Sequence, residues 1–343
     1  MKQLLAYCLS IILCVSFTGC MENYLDLYPE DKITSASFPE NESDIKLLLN
    51  GVYAQLREKE VYNQGLFGFG ITDGATPNAF NWGTDEVFNK LGAGRLSSSD
   101  GGVVTYRWKR CYEIISRANY LLACMDLVDL SEEAKAKYSG ETHFLRGLAY
   151  SVLAETYGGV PIILTDISTE EARSLKRASL EETWQQALDD YEVAITNLGV
   201  DAPEPGRATK GAALGMKMRA YLYQGKYKEV LSCVEQIDAL KKYGLFHSYE
   251  GLFDPANENN KEVLFDIQYI EGENSQGSYI DQYCGTGTGS WTRGSRYVPT
   301  DDLVAAYETI DGSPVDPENP YENRDPRLGF TAVLPGSYFL GYR

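Results

Sequence analysis

Between Ala208 and Leu240, Tyr221, Gly225, Tyr227 and Val230 stand at the spacing of a tetratricopeptide helix hairpin. The pattern predicts helices over Ala208–Gln224 and Tyr227–Leu240, with glycine at the tight turn and the aromatic rings interlocking the two helices. One such hairpin cannot bury both of its faces, so other helix pairs must stack on it, and the obvious candidates lie at 103–157. The fold class that follows is mostly α: a tetratricopeptide-like helical repeat scaffold, with long irregular loops and a few short strands.

The rest of the chain supplies the helices this requires. Apolar residues recur at spacings of three and four over Asp44–Arg57, with Ser43 as the expected N-cap. A second helix is expected over Val103–Leu127. A third runs from Ser131 to Tyr157 and stops at Gly158-Gly159 before Pro161, because glycine accepts the left-handed conformation and proline cannot continue a helix. Val160–Leu164 reads as a short extended segment. Another helix covers Leu180–Leu198 and reaches the hairpin through a Pro/Gly turn at Asp201–Gly206. Past Phe246 the pattern turns to loops and strand-like pieces: a β-rich run at Val263–Tyr269, a Gly/Ser-rich stretch from Glu271 to Arg296, a short helix within Asp301–Thr309, then turns. Residues 63–102 form the other long stretch without a sustained period, and ordered loops of that length are usually functional.

The first twenty residues place the protein. Lys2 is followed by an apolar run from Leu4 to Phe17, shorter than the ~20 residues a bilayer span takes, and then by Thr18-Gly19-Cys20. This is the build of a cleaved signal peptide over 1–19 with a lipobox-like end, which makes Cys20 the acylated first residue of the mature chain and a membrane anchor. Residues 20–40 are then a tether. Of the remaining cysteines, Cys111 and Cys124 lie ~20 Å apart along one helix, too far to pair, and with Cys233 and Cys284 they match no metal-site spacing. Buried free thiols are expected. The net charge of −18 disfavours nucleic acid, which needs a basic face.

Five segments, in order, resemble the SusD/RagB family of Bacteroidetes outer-membrane nutrient-binding lipoproteins. They are the Cys20–Phe38 leader with Tyr24–Pro29, Trp108–Asn119, Glu141–Tyr150 running into Tyr157–Pro161, Gly206–Lys210, and Pro299–Val304 with Asn323–Leu328. The resemblance implies a single SusD-like domain over 41–343, with helical repeats at about 41–245 and a loop-rich ligand-binding part at about 246–343. It also implies further C-terminal helices past Leu328, which are expected to be missing here. The implied role is a surface lipoprotein of a polysaccharide-utilization system. It would capture an oligosaccharide, less often a peptide, and pass it to a SusC-like TonB-dependent transporter.

Candidate ligand residues come from the loops, because sugars offer C–H faces to aromatic rings and hydroxyls to polar side chains. Trp82 and Trp291 are the expected stacking platforms, Tyr283 a second ring, and Asp73 and Arg293 the hydroxyl partners. No catalytic residue, cofactor or metal is expected. The alternatives are a protein-interaction scaffold of the outer membrane or a glycoside hydrolase, for which paired carboxylates suffice but no nucleophile motif is present. His143, flanked by Phe144 and Leu145, reads as a packed histidine. Gly285–Gly289 lacks the Lys-Ser/Thr of a phosphate loop, and Asp311–Asp325 lacks the spacing of a calcium loop.

Overall fold

The computed structural model of the chain describes residues 38–57, 73–81, 90–97, 99–269 and 297–338. Helix α1 spans Glu42–Tyr53 and continues into a 3-10 turn at Ala54–Arg57. Its N-cap is Asn41, not Ser43. The Asn41 side chain accepts from the Ser43 and Asp44 amides, and the Asp44 carboxylate accepts from the Glu40 and Asn41 amides, so each end of the box satisfies the other. Helix α2 spans Val103–Cys124, ending three residues earlier than expected. Helix α3, Glu132–Tyr157, starts at the Ser131 cap, whose hydroxyl accepts from the Ala134 amide, and stops at Gly158 with φ +76°.

A short helix that the sequence reading lacked, α4 at Thr169–Ser174, precedes α5 at Leu180–Asn197. Both begin with reciprocal Ser–Glu capping boxes, Ser168 with Glu171 and Ser179 with Glu182. The hairpin follows as α6, Lys210–Tyr223, and α7, Tyr227–Ala239, with Gly225 at φ +69° in the turn as the spacing required.

Every residue of α3 from Phe144 to Ala154 is buried, which marks it as the central helix. It packs against α1, α2 and, most extensively, α5. The chief neighbour of the hairpin is therefore α5, which packs on α6, rather than the α2–α3 pair. Tyr221 packs against the core, but the Tyr227 ring is 67% exposed and interlocks nothing between the helices. Aromatic spacing fixes where a ring sits on a helix; only the tertiary partner decides whether it is covered.

Buried polar groups pin the helices together. Arg146 of α3 donates from Nε and Nη2 to the Asp190 carboxylate of α5 and from Nη1 to Asn119 Oδ1 of α2, at 2.7–3.3 Å. Asn119 Nδ2 in turn donates to the Ile163 carbonyl. The extended 160–164 segment is held from three helices: Tyr112 Oη of α2 donates to the Pro161 carbonyl, Tyr150 Oη of α3 donates to the Ile163 carbonyl while accepting from the Ile163 amide, and Thr183 Oγ1 of α5 accepts from the Val160 amide. Gly159 lies so close to the Ala178 carbonyl that a Cβ would collide with it.

The β-rich run at 263–269 forms no strand. It lies extended against the helices, with Phe265 edge-on to Phe144 at 4.9 Å, so helix packing takes the place of sheet pairing. The ladder of the described residues is instead β1, Ala79–Asn81, antiparallel to β2, Tyr297–Pro299. Beyond it come α8, Asp301–Ala306, and α9, Arg327–Thr331. Arg324 gathers this region by donating to the carbonyls of Pro320, Val304 and Tyr307 at 2.6 Å. Asp311 and Asp316 accept from the backbone amides of Ser313 and Glu318, as solvated turns do. Cys111, Cys124 and Cys233 are buried free thiols, and burial pushes the Cys111 thiol up to about 12; Cys284 lies outside the described residues.

Candidate functional site

The two stretches singled out as loops meet at the β1–β2 ladder. The chain enters β1 through a tight turn in which the Asp73 carbonyl accepts from the Thr76 amide (2.9 Å) and hydroxyl (2.8 Å). Register then pairs Ala79 with Pro299, Phe80 with Val298 and Asn81 with Tyr297. Thr300 locks the far end: its amide donates to the Asn78 carbonyl, its hydroxyl donates to the Pro77 carbonyl, and it caps α8 through the Leu303 amide. The residue covalently next to Asn81 is Trp82, and the one before Tyr297 is Arg296. The ladder therefore sets the middle of the first stretch beside the residue that follows the second, although more than two hundred residues separate them in sequence.

Of the residues picked from sequence, Asp73 is described: its side chain is exposed, on the turn that feeds β1. Trp82, Trp291, Tyr283 and Arg293 lie outside the described residues, as does the Cys20 anchor. Two residues were missed. Phe80 presents a large ring that is 52% exposed on β1, and Asn81 beside it is fully buried. Ala79 and Phe80 stand between Asn78 and Asn81 with no alternation, and three residues are too few for a period to show. Further along the chain, Asp100 accepts from the Lys90 ammonium at 2.8 Å and the Ser97 amide at 2.7 Å. The Lys90 hydrogen bond is the main reason its carboxyl is held down at about 2.

The motif residues occupy a different place. Tyr53 Oη donates to Glu141 Oε2 at 2.8 Å and accepts from the Ala208 amide. Arg207 stacks over the Tyr53 ring at 4.9 Å, donates to Asn50 Oδ1, and reaches Glu141 Oε2 at 3.4 Å. Burial raises the Glu141 carboxyl above its ordinary range, partly offset by the Tyr53 and Arg207 contacts. His143 Nδ1 sits 2.8 Å from the Ser139 carbonyl, and burial lowers its pKa; it is a packed histidine, as read. The Glu141–Tyr150 and Gly206–Lys210 segments thus build helix junctions, with Glu141 and Arg207 bonded to each other and to α1. Among the described residues no three His, Cys, Asp or Glu side chains gather as a metal would require, and no helix is long and apolar enough to cross a membrane.

Residues 23–222 match a SusD-like family model described as "Starch-binding associating with outer membrane", and residues 261–343 match the SusD family model. The chain belongs to the SusD family. SusD-like protein P25 of Formosa agariphila is 26% identical over 321 residues, covering 87% of this chain and 58% of that protein. A SusD-like protein of Bacteroides ovatus is 23% identical, covering 74% of this chain and 48% of its own. Among solved structures, a SusD-like carbohydrate-binding protein of Bacteroides fragilis superposes with a TM-score of 0.77 at 28% identity over 88% of this chain and 61% of that one. A laminarin-binding SusD-like protein superposes with a TM-score of 0.62 at 22% identity, over 75% of this chain and 55% of that one. The chain thus spans less than two thirds of the length of these SusD-like relatives.

Proposed function

We propose that this SusD-family chain captures a glycan at the outer surface of the outer membrane and hands it to a SusC-like TonB-dependent transporter, without chemistry of its own. Cys20 is its lipid anchor. Trp82 and Trp291 are the stacking platforms, Tyr283 and the exposed Phe80 add rings, and Asp73 and Arg293 bond sugar hydroxyls. The observation that supports this reading is the Asn81–Tyr297 pairing, which sets the residues next to Trp82 and Arg296 side by side although they are far apart in sequence. The carbohydrate-binding and laminarin-binding proteins that share the fold support a glycan as the ligand class. The use of the motif carboxylates and arginines as helix clamps favours binding over catalysis.

The test uses the mature chain from Cys20 onward, with serine at the anchor, on affinity gels containing laminarin, starch or another plant or algal glycan. Retardation by at least one glycan, lost in Trp82→Ala/Trp291→Ala with unchanged circular dichroism and melting, is the expected result. Retention by the double variant would reject these rings, and release of reducing ends would point to a hydrolase.

A further inference from the structure

Arg324, in the Asn323–Leu328 segment, is buried, and among the described residues its bonds all go to carbonyls rather than to a carboxylate. Nη1 donates to Pro320 and Nη2 to both Val304 and Tyr307, while Nε is buried without a partner. Burying a guanidinium against neutral dipoles, with one donor unsatisfied, works against stability. What the arrangement holds is the C-terminal end of α8: Val304 lies inside that helix and Tyr307 is its C-cap. Carbonyls at a helix end lack intrahelical partners and carry its negative pole, so a cation with a fork of donors fits them. The backbone adds a tie on either side of Arg324: the Ile310 amide donates to the Asn323 carbonyl and the Asp325 amide to the Glu308 carbonyl, both at 2.9 Å.

The other end of α8 is the ladder. Thr300 is at once the residue after β2, the N-cap of α8, and the donor to the Pro77 and Asn78 carbonyls where the chain enters β1. A two-stranded ladder of three residue pairs is marginal on its own. A helix of six residues is likewise too short to stand alone. The order of each therefore depends on what holds α8 at its far end. We propose that Arg324 is a positioning residue for the ladder. By pinning the C-terminal end of α8 it keeps Thr300 in place, and through Thr300 the β1–β2 pairing that sets the residues next to Trp82 and Arg296 side by side. The consequence for glycan binding rests on the function proposed above; the hold on the ladder does not.

Hydrogen exchange of the complete mature protein, with serine at the anchor, tests it at the Thr300 amide, which bonds the Asn78 carbonyl at 3.0 Å. In Arg324→Met this amide is expected to exchange more than about tenfold faster than in the parent, while Phe144–Ala154 of α3 keeps the parent rate. Thr300→Val removes the hydroxyl's bonds to Pro77 and Leu303 but keeps the amide. In that background Arg324→Met is expected to add little, because it acts through Thr300. Laminarin is the ligand probe. At saturation it should return the Thr300 exchange of Arg324→Met toward the parent rate, since a ligand that binds the closed ladder draws the equilibrium back. Unchanged Thr300 exchange in Arg324→Met overturns the proposal. So does an equal rise in α3, which would make Arg324 a general stabiliser, and so does full additivity with Thr300→Val. Laminarin that binds the variant as it binds the parent, yet leaves Thr300 exchanging fast, cuts the ladder off from the ligand and overturns the positioning role. A parent that does not bind laminarin counts against the glycan reading alone, and the Thr300 rates still decide the role of Arg324.

Discussion

Arg146 and Asp190 show how a sequence motif turns into a clamp. Both side chains are less than a tenth exposed, the guanidinium is held bidentately, and its remaining Nη1 reaches Asn119, so three helices meet on one charged pair. Removing one partner leaves the other charge buried without compensation. Asp190→Ala is expected to lower unfolding free energy by about 3–5 kcal/mol in urea titrations, whereas Arg146→Met/Asp190→Leu, which removes both charges, should cost far less than either single change. A double variant as unstable as the sum of the two single ones would show that the pair is not a unit. This role was hidden in the sequence, where Arg146 stands in an obvious motif and Asp190 in none. The helix pattern placed both residues, but the pairing depends on how α3 and α5 face each other. The same limit held for Glu141 and Arg207, two motif residues far apart in sequence that share one carboxylate oxygen with Tyr53.

Helix ends were legible where a single residue decides them and not where two candidates compete. Ser131 and Gly158 frame α3 as read, since a hydroxyl before Glu-Glu and a glycine before proline have few other uses. Asn41 displaced Ser43 because only Asn41 stands three residues before an acidic partner, Asp44. The β1–β2 ladder has no local signal at all, and the 263–269 run carried a strand signal that contact with α3 overrode. At the turn after α3, Gly158 and Gly159 do different work: the first supplies a left-handed φ, the second only space against the Ala178 carbonyl. Gly159→Ala therefore forces the 158–161 turn away from the segment leading into α5. It is expected to destabilise by about 2 kcal/mol or more in thermal melts. A melt within a degree of the parent would show that the two backbones part freely.

Across the whole molecule, stability is graded. The fully buried stretch of α3 is wrapped by α1, α2 and α5, while 297–338 is joined to the rest through the short ladder and surface contacts such as Tyr249 with Phe330. Amide exchange at neutral pH should therefore be slowest in α3 and open only with global unfolding, with α8 and α9 exchanging through a smaller, local opening. Equal protection in both would mean that the ladder binds the two parts into one cooperative unit. The way α1 is fastened has a mechanical side. Glu42 accepts from Tyr138, Lys46 pairs with Glu204, Asn50 accepts from Arg207, and Tyr53 bonds Glu141, close to one tie for each turn of the helix. Tension arriving along the chain from before residue 38 meets these ties side by side rather than one after another. A chain held at its leading end and tugged by a departing cargo would then spread the load over the length of α1, like a row of rivets loaded in shear, instead of unzipping from its first turn.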